Sequence, residues 1–171
     1  MVEKFNDLST KMENFDKIDS GNIEKFNEAK NNKLNYEPIF NEKSDYKKID
    51  EVSLSKEEKE IYENANLEKS EINGRECYQR TDLNYDEIDS NGFTNKERME
   101  NGMAPLKDGR PIELHHIGQK MDSPLAELTI QEHRGQGNDT ILHDKKIDSQ
   151  IDRREFKKEK ENYWKARAAQ I

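Results

Sequence analysis

Cysteine occurs once in the 171 residues, at Cys77. No intrachain disulfide can form and no four-cysteine zinc site exists, and a lone thiol of this kind is expected as a small buried hydrophobe. Long apolar runs are also missing. Hydrophobic residues make up 30% of the chain, and no stretch nears the roughly 18 consecutive apolar residues that a membrane span needs. The amino terminus lacks the apolar core of an export signal, so the chain as written is expected to be soluble, with no export address of its own. Net positive charge is absent too: the balance is -8, which argues against coating nucleic acid through bulk charge but leaves room for a local basic patch.

What is present is unevenly distributed. Residues 1–92 hold 14 basic against 23 acidic groups, whereas residues 93–171 hold 15 against 14. Within the second half, residues 145–167 carry nine basic and five acidic groups, so a basic segment ends the chain. The length suits one ordinary domain or two small ones, and a charged fraction of 39% makes a single large core lean.

In residues 1–71 the pattern is helical and carries no recognisable chemistry. Phe5, Leu8, Met12 and Phe15 follow helical spacing, interrupted by Gly21-Asn22. Ser55 to Glu58 reads as a capping box opening a helix to about Leu67. This part is expected to be an acidic extension or linker, helical or partly ordered. From Ile72 the texture changes. Asn73-Gly74 is a turn signal before a short strand at Arg75–Arg80, and Thr94 with Glu97 caps a helix that stops at Asn101-Gly102. Asp108-Gly109 turns into a strand over Pro111–Ile117, with Ile112 and Leu114 in the core. Leu125–Leu128 reads as a second strand with Leu128 also in the core, Thr129 with Glu132 as a cap that places His133 on a helix, and Asp139 as a cap before His143.

The four histidines of the chain, His115, His116, His133 and His143, all fall in this window. Neutral imidazole is the commonest metal ligand and the side chain best suited to accept a proton near neutral pH. A doublet followed by two spaced histidines offers both functions, whereas scattered core or surface histidines would have to cluster by accident. Adjacent strand residues point to opposite faces, so both members of the doublet can serve one site only near a strand end or bend, which the loop from Gly118 provides. Strand, loop, strand, helix, with histidines on the first strand and on the helix, is the plan of the ββα-metal nucleases. There one histidine removes a proton from water and a cation on the others stabilises charge at the phosphate.

Residues 72–169 resemble the LHH subgroup of the HNH/endonuclease VII-like nuclease superfamily, known as carboxy-terminal toxin domains of bacterial polymorphic toxins, including LXG-type toxins. The runs that carry the likeness are Cys77–Asp82, Thr94–Met99, Gly102–Pro105, Ile112–Gln119 with its Leu114-His115-His116, Glu132–Arg134, Leu142-His143, Ser149–Arg153 and Tyr163–Lys165. Residues 1–70 lie outside it and do not look like a full LXG secretion domain, so a truncated or processed toxin is expected. The resemblance implies an α+β fold with a ββα-metal (His-Me finger) core, additional helices and a helical amino-terminal extension, the nuclease domain occupying residues 72–171. It implies His115, His133 and His143 as ligands of one divalent metal (zinc, nickel, magnesium or manganese) and His116 as general base, with the roles of His115 and His116 open to exchange. Many HNH enzymes carry a ligand pair at i, i+4 on one helix, but here residue 137 is glycine.

Around the histidines, Glu113 is either a metal ligand or a solvent-facing strand residue, and Gln119 orients a histidine, contacts phosphate or serves the loop. Arg134 and Arg98 have forks suited to phosphate, but charged helix surfaces usually have no such task. Arg80 is expected to be structural. The segment from Asp148 to Ala169 reads as a helix opening near Asp148 or Ser149. Its Arg153, Arg154, Lys157, Lys158, Lys160, Lys165 and Arg167 are available to a phosphate backbone, with Phe156, Tyr163 and Trp164 turned inward. The expected activity is metal-dependent hydrolysis of DNA phosphodiesters with little sequence preference, since nothing resembles a base-reading element. By the resemblance it is a toxin, secreted as part of a larger protein or delivered to a target cell's cytoplasm, neutralised by a cognate immunity protein and not inserted in membranes. The rival expectation is a non-catalytic binding module held by a structural zinc on all four histidines.

Overall fold

The computed structural model describes residues 46–135, 137–146 and 148–171; the helix expected within residues 3–32 lies outside the described residues. After a 3-10 turn at Ile49–Glu51 come α1 (Lys56–Asn64), β1 (Leu67–Ile72), β2 (Arg75–Arg80), α2 (Asn95–Glu100), β3 (Leu106–Lys107), β4 (Arg110–Pro111), β5 (Glu113–His116), β6 (Leu125–Leu128), α3 (Ile130–Arg134), α4 (Asn138–Leu142) and α5 (Arg153–Ala168). This is the α+β class expected, with β5, loop, β6 and α3 in the ββα order.

Local chemistry sets most of these boundaries. Asn73 and Gly74 both take positive φ, 51° and 75°, the backbone a two-residue type I′ hairpin needs, and β1 and β2 pair on either side from Leu67↔Arg80 to Ile72↔Arg75. Thr94 with Glu97 and Thr129 with Glu132 form reciprocal capping boxes. Ser55 makes only half of one. Its side chain accepts from the Glu58 N–H, but the Glu58 carboxylate instead accepts from the buried Tyr62 hydroxyl at 2.8 Å. Two expected caps move. Gly137, with φ of 88°, is the N-cap of α4, leaving Asp139 in its first turn. α5 opens at Arg153 rather than near Asp148, because the Asp152 carboxylate accepts from the N–H groups of Arg154 and Glu155.

The sheet runs β1-β2-β6-β5. β6 is parallel to β2 through Cys77↔Leu125 and Tyr78↔Ala126, and antiparallel to β5 from Glu113↔Leu128 to His116↔Leu125. Side chains alternate across it. Ala126 and Leu128 pack with Tyr62, Ile117 and Leu142, flanked by Val52, Leu67 and Tyr78. Residues 49–72 thus share the sheet and core with the segment downstream of residue 72.

The opposite face carries Cys77, fully buried and unpaired, with its thiol pushed up to about 11 by burial. Against this face lies α5, whose Tyr163 and Trp164 are buried as expected. Between them sits Glu127, with no exposed surface. Its carboxylate accepts from the Arg80 N–H at 2.8 Å, the Tyr163 hydroxyl at 2.8 Å and Arg167 Nε at 3.3 Å. Burial raises its pKa against the opposing charge of Arg167. A buried carboxylate is tolerated only when its lone pairs are occupied in this way. Arg167, expected to reach toward nucleic acid, is therefore a core residue, and its bond fixes the rotation of α5 about its axis.

Candidate active site

β5 is an edge strand, and this answers how two adjacent histidines serve one place. His115 pairs with Ala126 and turns to the α3–α4 side, while His116 pairs with Leu125 and turns to the α5 side. A single cleft of about 950 Å³ wraps the strand edge and touches both. His115 and His116 are buried, 3% and 4% exposed, so their chemistry is directed into the cleft rather than to bulk water.

On the α3–α4 side, His115, His133 and His143 present one ligand atom each, all within 4.8 Å of one another. The ring centroids stand 5.0 to 5.1 Å apart in all three pairs. His133 comes from α3 one turn after its cap, and its Nδ1 faces the Glu113 carboxylate at 2.7 Å. His143 follows α4 directly, and its Nδ1 faces the Asp139 carbonyl at 3.1 Å. An acceptor on Nδ1 fixes the hydrogen there and leaves Nε2 as a lone pair. These two Nε2 atoms stand 3.3 Å apart, and His115 Nε2 is buried with no hydrogen-bond partner among the described residues.

Two lone pairs facing each other at that distance repel unless a cation lies between them. Two nitrogens bound at about 2.05 Å across a tetrahedral angle stand about 3.3 Å apart. The donor set therefore fits a divalent metal with three imidazoles and a position left open. Burial, then the neighbouring His133 and His143, hold His115 well below its usual pKa, and burial lowers His133 despite Glu113. Both are thus neutral, the form that binds metal.

His116 is not part of this cluster. Its ring packs edge-on against Phe156 of α5, with centroids 4.6 Å apart, and its Nε2 lies 2.9 Å from Glu159 Oε2. Burial, then the charge of Arg75, push its pKa down to about 3, while Glu159 sets a carboxylate oxygen against its Nε2.

The remaining residues divide clearly. Glu113 is outside the ligand cluster; it holds His133 and accepts from Arg134 Nε at 2.9 Å. Gln119, at a left-handed φ of 61°, accepts the Asp144 N–H at 3.0 Å, so its side chain clips the loop after β5 to the segment after α4. Arg98 donates to the Ala104 carbonyl and pairs with Asp89, and Arg80 pairs with Asp82 and Glu132; both are structural. Of the seven basic residues named on α5, Arg153, Lys157 and Lys160 line the cleft. Arg154 and Lys158 are exposed and outside that lining. Arg134 and Lys145 add positive charge on the far wall.

Two residues at the site carried no flag in the sequence. Glu159 reaches His116, and Arg75 of β2 donates to Glu159. A signal existed for the first: Glu159 falls between Phe156 and Tyr163 on the inward stripe of an otherwise basic helix.

Residues 94–170 match a family model described as a nuclease of the HNH/ENDO VII superfamily with conserved LHH. The matched span contains Leu114-His115-His116, all four histidines and the whole of α5. No solved structure matches the chain.

Proposed function

We propose that this protein is a metal-dependent endonuclease that hydrolyses DNA phosphodiester bonds with little sequence preference. The observation that carries the reading is the division of the histidines: three converge on one point, and the fourth stands apart in the same cleft. His115, His133 and His143 hold the divalent cation, and Glu113 and the Asp139 carbonyl orient two of them. When bound, the cation supplies positive charge against the negative charge that develops on the scissile phosphate. His116 accepts the proton of the attacking water. Its low pKa in the free protein keeps it unprotonated, and an anionic phosphate in the cleft raises its basicity when substrate arrives. Arg153, Lys157 and Lys160 hold the backbone on one wall, and their contact with phosphate rather than base edges gives affinity without sequence reading.

A closed structural zinc site needs four protein ligands. Only three imidazoles converge among the described residues, and His116 faces Glu159 instead. This favours the enzyme over a binding module.

The likeness to toxin domains supports a biological role as an antibacterial toxin, carried on a larger secreted protein or delivered to a target cytoplasm, and neutralised by a cognate immunity protein. No described helix is long and apolar enough to cross a membrane.

The test is cleavage of plasmid DNA and of structured RNA with Mg²⁺, Mn²⁺, Ni²⁺ or Zn²⁺, beside a chelator control and His116→Ala. Cation-dependent nicking of DNA that the substitution abolishes is expected. Folded, metal-loaded protein that cuts neither polymer with any cation contradicts the reading, and preference for RNA overturns the choice of substrate.

A further inference from the structure

Arg75 is 4% exposed, and its guanidinium is fully engaged. It donates from Nε to the Ser123 carbonyl at 2.6 Å, from Nη2 to the Met121 carbonyl at 2.8 Å, and from Nη1 to Glu159 Oε1. The Tyr46 ring lies over it at 4.4 Å. One buried cation therefore ties the loop that follows the histidine doublet to the middle of α5, and it holds one oxygen of the Glu159 carboxylate. The other oxygen, Oε2, is left 2.9 Å from His116 Nε2. Both of these atoms are buried, and neither forms an aligned hydrogen bond with anything else among the described residues.

That juxtaposition is not neutral between the two tautomers of His116. If the hydrogen is on Nδ1, a nitrogen lone pair faces a carboxylate lone pair across 2.9 Å, in a site where water does not screen the repulsion. With the hydrogen on Nε2, the same contact sets a donor against an acceptor. A carboxylate bound by a guanidinium on one oxygen can only accept on the other. The imidazole is not needed as a counter-ion, because Arg75 already fills that place.

We propose that Glu159, held by Arg75, is a positioning residue for His116: it selects the Nε2–H tautomer and so leaves the Nδ1 lone pair free toward the cleft. His116 lines the cleft, and Nε2, facing Glu159, is the ring nitrogen that is buried without an aligned partner. The inference rests on the reading of His116 as the base, and it names Nδ1 as the nitrogen that takes the proton. The site on this side is thus a relay of orientation from β2 through α5 to β5, and neither Arg75 nor Glu159 belongs to the three-histidine cluster.

Glu159→Gln is the discriminating variant. It preserves volume and packing, but Arg75 has only donors, so the amide oxygen must take the Arg75 side. The amide NH2 then faces His116 Nε2 and donates to it, forcing the hydrogen to Nδ1. The full chain, labelled with 15N-histidine and loaded with diamagnetic Zn²⁺, is examined by imidazole 15N NMR at neutral pH, and cleavage is measured beside it. The wild type is expected to show His116 as the Nε2–H tautomer and Glu159→Gln as the Nδ1–H tautomer. The variant's kcat is expected to fall by up to about 10⁴-fold, the loss seen when a base is locked in the wrong tautomer, with KM changed by less than about threefold. Glu159→Ala, which leaves Nε2 without a partner, is expected to give a mixture of tautomers and an intermediate rate.

A role for Glu159 in packing alone predicts that glutamine is the milder change; that order of activities, or an unchanged tautomer in Glu159→Gln, overturns the proposal. A wild-type Nδ1–H tautomer overturns it as well. The NMR readout needs no turnover. The predicted tautomers in a protein that cleaves nothing would leave the positioning intact and remove the nuclease reading instead.

Discussion

Replacing Glu113 with alanine leaves all three candidate ligands in the chain, yet it should weaken their hold on a metal. The carboxylate accepts from His133 Nδ1 at 2.7 Å and from Arg134 at 2.9 Å, and its removal frees the His133 ring to turn. A hydrogen bond to a charged group contributes about 1.5–3 kcal/mol. Glu113 is 21% exposed at its side chain, so water can take over part of its role, and the lower end applies. About 1.5 kcal/mol corresponds to roughly a tenfold rise in Kd, at the low end of the 10- to 100-fold losses typical of such supporting carboxylates. The assay is competition for Zn²⁺ against a chromogenic chelator at fixed pH and ionic strength. Arg134→Ala serves as a control. That side chain is 61% exposed, and a surface pair contributes at most about 1 kcal/mol. A Kd within twofold of wild type would refute the reasoning, as would a full loss reproduced by Arg134→Ala. A drop of more than about a thousandfold would refute it from the other side, by making Glu113 a ligand itself rather than a support.

Three further outcomes follow from the same geometry. Chelation should leave the protein folded, with a cooperative thermal melt and unchanged far-ultraviolet dichroism, because the sheet core around Ile117, Leu128 and Trp164 closes without the metal centre; loss of cooperative melting would argue for a structural metal. In the chelated protein, His116 has its folded pKa pushed down to about 3, below the 6.5 of the unfolded chain, so its contribution to stability is present above pH 6.5 and is lost progressively as pH falls toward 3. Glu58 and Glu127, raised by burial, work in the opposite sense. The measurement is therefore the difference between wild type and His116→Asn in denaturant midpoint at pH 7.5 and pH 5, and the wild type should lose more; equal losses would contradict the assignment. Finally, Arg153→Ala and Lys157→Ala should each lower the salt dependence of DNA binding by about one unit of log–log slope, whereas Arg154→Ala and Lys158→Ala, outside the cleft lining, should leave it unchanged; equal effects from both pairs would remove the proposed path of the backbone.

The parts of the fold written locally were legible in the sequence. Capping residues Thr94 and Thr129, the Asn73-Gly74 turn and the strand Arg75–Arg80 after it stand where the spacing puts them, because each depends on residues a few positions apart. What was not legible depends on distant pairing. The segment Leu67–Ile72 has no strong strand pattern, and it is held as a strand by the turn that follows and by β2. The parallel pairing of β2 with β6 has no local signature at all. The start of α5 was misread because Asp148, Ser149 and Asp152 are all competent caps, and only the chain's path selects Asp152.

The site divides in the same way. The histidines declare themselves by type and clustering. The separate surroundings of His115 and His116 follow only from β5 lying at the sheet edge, with helices on both faces. Arg167 looked like its basic neighbours, and its partner Glu127 lies on a strand far away in sequence. Glu159 was hidden for the same reason, as an acidic residue in a basic helix whose meaning appears only once α5 is rotated onto β5.

The most direct test of the account crosses metal binding with turnover in four single variants, His115→Ala, His133→Ala, His143→Ala and His116→Ala, each checked for folding. The account predicts that the first three lose both tight metal binding and DNA cleavage, while His116→Ala binds one metal as tightly as wild type and cleaves nothing. Loss of the metal in His116→Ala would make it a fourth ligand, close the open position and contradict the central claim.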